Sequence, residues 1–226
     1  GAAPVPAEVA LSLARLNRIE DLDVVGGTAT VQAGVILEEL QARVESQDWY
    51  FPLDLGARGS CQVGGNAATN AGGNRVIRYG MARELVLGLE VVLPDGTVMT
   101  SLNKMLKNNA GYDLKQLFIR SEGTLGVITR IVLRLHPQPG CTLSALCALP
   151  DYDGVVRLLG AARGGLGPLL SAFEVMWPDY WQVVTERVGV RDPLAAAAGA
   201  GHSHYVLVEV QGTDEAIDGP RFPRWL

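Results

Sequence analysis

Three observations predict an α+β protein built in two parts. Up to about residue 136 the apolar residues fall mostly into strand patterns, clearest in Leu85–Leu93 (LVLGLEVVL) and Val127–Leu135. Beyond that point the rhythm becomes strand, helix, strand, helix, strand. Between the two lies His136-Pro137-Gln138-Pro139-Gly140, which breaks regular structure and marks a boundary. Residues 1–138 and 139–226 are expected to be separate domains, the second a sheet layered by helices on one face.

Taken in order, Val9, Leu11 and Leu13 alternate with small or polar residues and predict a half-buried strand. A second strand is expected at Ala29–Ala33. Leu37, Leu40 and Val44 recur at spacings of three and four, the face of a short helix through Ser46. Leu85–Leu93 reads as a buried strand, returned by the turn Pro94-Asp95-Gly96 into Thr97–Thr100. A polar segment, Asn103–Asp113, precedes Leu114–Ile119. In Val127–Leu135 the arginines 130 and 134 mark a wetter face, so one side of that strand is expected to be buried. In the second part, strands are expected at Leu143–Leu149, Ser171–Trp177 and Tyr205–Gln211, and helices at Tyr152–Ala162 and Pro178–Val188. Ala195–Ala200 is a small-residue connector, and a further helix begins near Asp214.

Composition narrows the classes. Of 226 residues, 48% are hydrophobic and 19% charged, the balance of a globular chain rather than a disordered one. No apolar run approaches the ~18–20 residues that span a bilayer. The net charge of −5, with basic residues gathered into no stripe, argues against nucleic-acid binding. No secretory leader pattern opens the chain. Cys61, Cys141 and Cys147 show no metal spacing and read as free thiols in a reducing cytoplasm. His202 and His204 alternate beside small residues and read as solvated; His136 reads as structural. No metal ligand and no catalytic residue is assigned.

The chemistry concentrates in Pro52–Gly80, PLDLGARGSCQVGGNAATNAGGNRVIRYG. Seven of these residues are glycine, interleaved with Asp54, Ser60, Asn66, Thr69, Asn70 and Asn74. Glycine adds no apolar area and costs backbone entropy, so a core has no use for such a run. A surface that brings its own backbone against a large polar ligand does. There is no GxGxxG after a strand and no GxxxxGK[ST], which removes the two common nucleotide fingerprints. The alternative is a long surface loop without a ligand, which compact domains rarely keep.

This segment, followed by LGLEVVLPDGTV and NNAGYDLKQLFIRSEGTLGVITRIVLRLHPQP, resembles the FAD-linked oxidases of the vanillyl-alcohol-oxidase (PCMH) type. More narrowly it is similar to their D-2-hydroxyglutarate and D-lactate dehydrogenase group, from Val9 to about Leu226. The resemblance implies a PCMH-type FAD-binding domain followed by the start of a substrate, or cap, domain. It implies noncovalent FAD, with Pro52, Asp54, Leu55, Gly56, Ser60, Gly64, Gly65, Asn66, Thr69, Asn70 and Gly80 lining the pyrophosphate, ribityl chain and ring. Asp54 is equally readable as a turn former. Glu122, Gly123, Gly126, Val127 and Ile128 would meet the adenosine end, where a capped turn is the bland reading. Arg120 departs from the family, which usually has glycine there.

The activity implied is oxidation of a small D-2-hydroxy acid, such as D-2-hydroxyglutarate, to the 2-oxo acid, with a protein or quinone taking the electrons. Alternatives are a D-lactate dehydrogenase, a glycolate oxidase subunit, or a non-catalytic flavin-binding piece. A cell-wall reductase that oxidises NADPH on the same flavin fold is a weaker rival. Glu174 could face a substrate pocket or solvent. The chain opens without methionine and stops at FPRWL, so it reads as a piece of a longer protein. By the resemblance, another glycine-rich loop would precede it, and the base, metal histidines and substrate arginine would follow it. Such a piece is expected to be inactive alone and to bind FAD less tightly than a complete family member.

Overall fold

A computed structural model describes residues 9–194 and 202–226, so the Ala195–Ala200 connector lies outside the described residues. The elements run β1 (Ile19–Asp23), β2 (Thr28–Gln32), α1 (Leu37–Glu45), β3 (Trp49–Tyr50), α2 (Val63–Ala68), α3 (Val76–Tyr79) and α4 (Ala82–Leu85). They continue with β4 (Val86–Val92), β5 (Val98–Ser101), α5 (Lys115–Phe118), β6 (Val127–Arg134) and β7 (His136–Pro137). After these come β8 (Cys141–Leu149), α6 (Tyr152–Leu166), β9 (Leu170–Met176), α7 (Pro178–Gln182), β10 (His204–Gly212), α8 (Glu215–Asp218) and α9 (Arg221–Trp225). They form two compact units. One holds the chain up to Ala71 together with Met81–Pro137; the other holds Gly72–Gly80 and Gln138–Leu226.

The first unit is built on an antiparallel sheet of order β1-β2-β6-β4-β5. β6 lies at its centre, and Ile131, Val132 and Leu133 are buried in succession. The expectation of one wet face fails there, because a central strand covered on both sides buries consecutive residues. Arg130 stays polar through partners: it pairs with Glu20 on β1 at 3.0 Å and with Glu90 on β4 at 2.9 Å. Leu37, Leu40 and Val44 of α1 are fully buried in the same core as Val31, Ile131 and Phe51, as the helical spacing predicts.

A further expectation about this unit fails. Residues 9–13 form no strand; Val9 is 95% and Leu11 71% exposed. Alternation marks a face, but a strand also needs a neighbour, and among the described residues β1 pairs only with β2. β1 itself, IEDLD, carries three acidic residues among two apolar ones and sits at an edge, where polar side chains are tolerated. The long surface loop of the alternative reading is not what forms: the glycine-rich stretch contains α2 in this unit and α3 in the other.

The second unit is an antiparallel sheet of order β8-β10-β9. Val206, Val208 and Val210 of β10 pack with Val155, Ala162 and Leu166 of α6 and with Phe222 of α9. Asp151 starts α6, its carboxylate accepting the Gly154 N–H at 2.7 Å. The expected helix at 178–188 is α7 followed by a π-helical turn over Val183–Arg187. The helix near Asp214 is two short ones, α8 and α9, separated at Gly219-Pro220.

Helices do not keep to one face of this sheet. Glu209 alternates with Val208 and Val210 and so points away from α6, and there it meets the α3 segment. Arg75 donates to both Glu209 oxygens at 2.9 and 3.1 Å, and Ser171 Oγ donates to the same carboxylate at 2.7 Å. Tyr79 Oη donates to Gln211 Oε1 at 2.9 Å, and Arg78 donates to the Gln211 carbonyl. The glycine-rich run is therefore divided, Pro52–Ala71 belonging to the first unit and Gly72–Gly80 to the second.

Candidate cofactor site

The first half of the run is anchored before it becomes exposed. Gln41 of α1 donates to the carbonyls of Phe51 and Leu53 at 3.2 and 2.8 Å, which fixes the buried Pro52 between them. Leu55 packs half-buried on the core. Asp54 forms an ion pair with Arg58 at 3.5 Å. The following loop folds onto the start of α1, where the N–H groups of Leu37 and Glu38 donate to the Cys61 and Arg58 carbonyls. Gly56 and Ser60 lie exposed on it.

Within α2 the adjacent glycines have different causes. A Cβ on Gly64 would stand 2.5 Å from Ala33 Cβ and 2.8 Å from the Ala33 carbonyl oxygen, which already accepts the Gly64 N–H at 2.7 Å. Close packing of α2 on the end of β2 accounts for that glycine. Gly65 is exposed, and a Cβ there would meet nothing within 4 Å; the same holds at Gly56. Asn66 is buried, its amide donating to Cys61 Sγ at 3.6 Å. Thr69 is exposed and donates back to the Gly65 carbonyl at 2.9 Å. Asn70 closes the segment at φ 50, its side-chain oxygen accepting the Arg83 N–H at 2.9 Å.

The second predicted segment meets the first. Arg120 N–H donates to the Ala67 carbonyl at 3.3 Å and Glu122 N–H to the Ala68 carbonyl at 2.9 Å, so the loop 120–124 lies against the end of α2. Arg120, Glu122 and Gly123 all take positive φ (71, 53 and 79). That is why glycine suits position 120 and why arginine is strained there. Gly126 packs where a Cβ would lie 2.7 Å from Val91 Cγ1 and 3.0 Å from the Val92 carbonyl. Val127 and Ile128 then enter β6, paired with Val92 and Val91. Beside them lies an apolar hollow of about 280 Å³ lined by Leu11, Leu13, Leu93, Pro94, Gly123 and Gly126, among others. Gly80, at φ 77, belongs to the second unit, so the structure does not group it with the other predicted residues.

Bare backbone at Gly56 and Gly65, the exposed Ser60 and Thr69, and an apolar slot beside Gly123 and Gly126 fit a long ligand with a polar middle and a flat heterocyclic end. A dinucleotide such as FAD has that form. Three other titratable side chains have surroundings that act on them locally. Burial pushes the Asp113 carboxyl up, but hydrogen bonds from Lys115 and Gln116 outweigh it and leave it below its ordinary range. Burial raises Glu174. His204 Nδ1 lies 2.8 Å from Ser203 Oγ, with its ring edge-on to Trp177. Among the described residues no cluster of three or more His, Cys, Asp or Glu could hold a metal, and no helix is long and apolar enough to cross a membrane.

Sequence reasoning missed Arg83, which ties the two segments together. Its guanidinium donates to the carbonyls of Gln116 and Ile119 at 3.2 and 2.8 Å and to the Gln116 side chain. An arginine inside a short helix gives no sequence signal of such a role.

Residues 1–101 match the family described as FAD binding domain. The chain is 44% identical over 221 residues to mitochondrial D-2-hydroxyglutarate dehydrogenase of Rattus norvegicus, covering 98% of this chain and 40% of that protein. It is 39% identical over 223 residues to the D-2-hydroxyglutarate–pyruvate transhydrogenase of Saccharomyces cerevisiae, covering 99% and 44%. The chain thus spans about two fifths of the length of the curated relatives it matches. Its fold matches the solved structure of an alkyldihydroxyacetonephosphate synthase with a TM-score of 0.74 at 20% identity, over 93% of this chain and 39% of that one. The expectation of a cytoplasmic protein is overturned, because the rat relative is a mitochondrial enzyme. Residues 1–101 thus match an FAD binding domain, and over nearly its whole length the chain is similar in sequence to D-2-hydroxyglutarate dehydrogenases, in line with the resemblance to FAD-linked oxidases of the vanillyl-alcohol-oxidase type.

Proposed function

We propose that this chain supplies the noncovalent FAD site of a dehydrogenase that oxidises a D-2-hydroxy acid resembling D-2-hydroxyglutarate to its 2-oxo acid. The observation that carries the reading is the joining of two distant glycine-containing segments, through Ala67 and Ala68, into one surface of the first unit. Gly56, Ser60, Gly65 and Thr69 present the exposed backbone and hydroxyls for the polar middle of the cofactor. The loop Glu122–Gly126 and the hollow beside it take the adenosine end. Pro52, Leu55, Gly64, Asn66, Asn70 and Ile128 shape that surface from below, and Asp54 pairs with Arg58. Bound there, FAD supplies the acceptor for hydride from the carbon that bears the hydroxyl.

In this reading the second unit begins the substrate domain. An electron-transfer protein or a quinone would reoxidise the flavin; the name of the yeast relative favours, as a second reading, a 2-oxo acid in that role. The test is anaerobic mixing of the whole protein with D-2-hydroxyglutarate, D-lactate or glycolate, followed by pyruvate or a quinone. Loss of oxidised-flavin absorption is expected with D-2-hydroxyglutarate. Bleaching by D-lactate alone would move the protein to the sister activity, and bleaching by none of them would refute the proposal.

A further inference from the structure

We infer that Arg83 is a positioning residue for the adenosine end of the cofactor, holding the 116–124 segment in the shape that end requires. The inference rests on the flavin reading above and goes beyond it to a side chain outside the predicted cradle. Arg83 reaches both segments. Its backbone N–H is fixed by the Asn70 side chain at 2.9 Å, at the close of the first segment. Its guanidinium takes the Ile119 carbonyl at 2.8 Å and both the carbonyl and the side-chain oxygen of Gln116.

The geometry gives this brace a purpose. Immediately after Ile119 the chain enters Arg120 and Glu122 at φ 71 and 53, conformations that side chains other than glycine adopt at a cost. Such a loop persists only where its surroundings over-determine it. The contacts that do so are the Arg83 guanidinium on one side and the Ala67 and Ala68 carbonyls on the other. The loop leads directly to Gly123 and Gly126, which border the apolar hollow. A guanidinium can serve two carbonyls at once because its donors are fixed in a planar fork; a lysine cannot do so in the same geometry. Without the brace, binding would have to order the loop, and affinity would fall by that cost.

The test compares FAD with FMN, which lacks the adenosine end. Dissociation constants for both are measured by flavin fluorescence on the protein and on Arg83→Met, alongside thermal unfolding without flavin. The expected result is a loss of about tenfold in FAD affinity, the scale of one or two lost hydrogen bonds, with FMN affinity unchanged. Equal weakening of both flavins, or no change in the ratio, would overturn the inference and leave Arg83 as a fold-stabilising residue. Should Arg83→Met not fold, Gln116→Ala removes one acceptor and is expected to lower the FAD-to-FMN ratio in the same direction; an unchanged ratio there also overturns it. A wild-type protein that binds neither flavin refutes the cofactor reading itself, which distinguishes the two failures.

Discussion

Gly64 and Gly65 are adjacent, yet they answer to different constraints, and substitution should separate them. Gly64→Ala forces a methyl onto Ala33 and should destabilise the protein by about 1–3 kcal/mol, the usual cost of overpacking. Gly65→Ala enters open space on a helix, where alanine is favoured by about 1 kcal/mol. It should leave stability equal or higher in denaturant titration while weakening FAD binding, because the methyl occupies the exposed cradle. If Gly65→Ala binds FAD as tightly as the wild type, that face of α2 is not the cradle. Arg120 offers a third case. Arg120→Gly relieves a left-handed arginine and should raise unfolding free energy by about 1 kcal/mol. Sequence alone flagged position 120 as unusual; the backbone angle supplies the reason.

Elements carry the next set of consequences. The α3 segment is tied to β9 and β10 by Arg75, Glu209 and Ser171, with the Glu209 side chain 14% and that of Arg75 19% exposed. Breaking such a pair from one side leaves a charge poorly solvated, so Glu209→Ala should cost about 2–3 kcal/mol, at or just below the range for fully buried pairs. Asp218 closes the turn between β10 and α8. Its carboxylate accepts the N–H groups of Asp214 and Thr213, and these backbone bonds hold its pKa below the ordinary 3.8. A carboxylate depressed in the folded state stabilises it above the unfolded pKa and loses that contribution as pH falls through the folded one. The gap in stability between wild type and Asp218→Asn should therefore be present at pH 6 and shrink below about pH 4. A gap that holds constant down to acid pH would show that the depression is not real.

Strands with an apolar rhythm and a turn, such as β4 and β5 around Pro94-Asp95-Gly96, were legible in the sequence. So was α1, whose spacing buries Leu37, Leu40 and Val44. β1 was hidden because an edge strand does not need apolar residues, and residues 9–13 misled because alternation does not supply a partner strand. The short helix α2 was hidden because its two glycines suppress helical propensity, and tertiary contacts such as Gly64 against Ala33 stabilise what propensity does not; α3, a single turn of four residues, is too short to show a helical period.

For the molecule as a whole, the proposed cradle residues up to Asn70 and the 122–128 loop lie in one unit, while the tail of the glycine-rich run lies in the other. Motif order suggested the cradle; which half of it joined which unit could not be read, because the Arg75–Glu209 pair spans 134 positions. Ligand binding to the folded state alone adds about 2.7 kcal/mol at a hundredfold excess over Kd. FAD should therefore raise the stability of the first unit directly. Hydrogen exchange with and without saturating FAD tests this most directly. The prediction is slowed exchange in residues 56–70 and in 120–128 together, both in the first unit. Protection of only one segment, or of neither, would contradict the single composite flavin site on which the account depends.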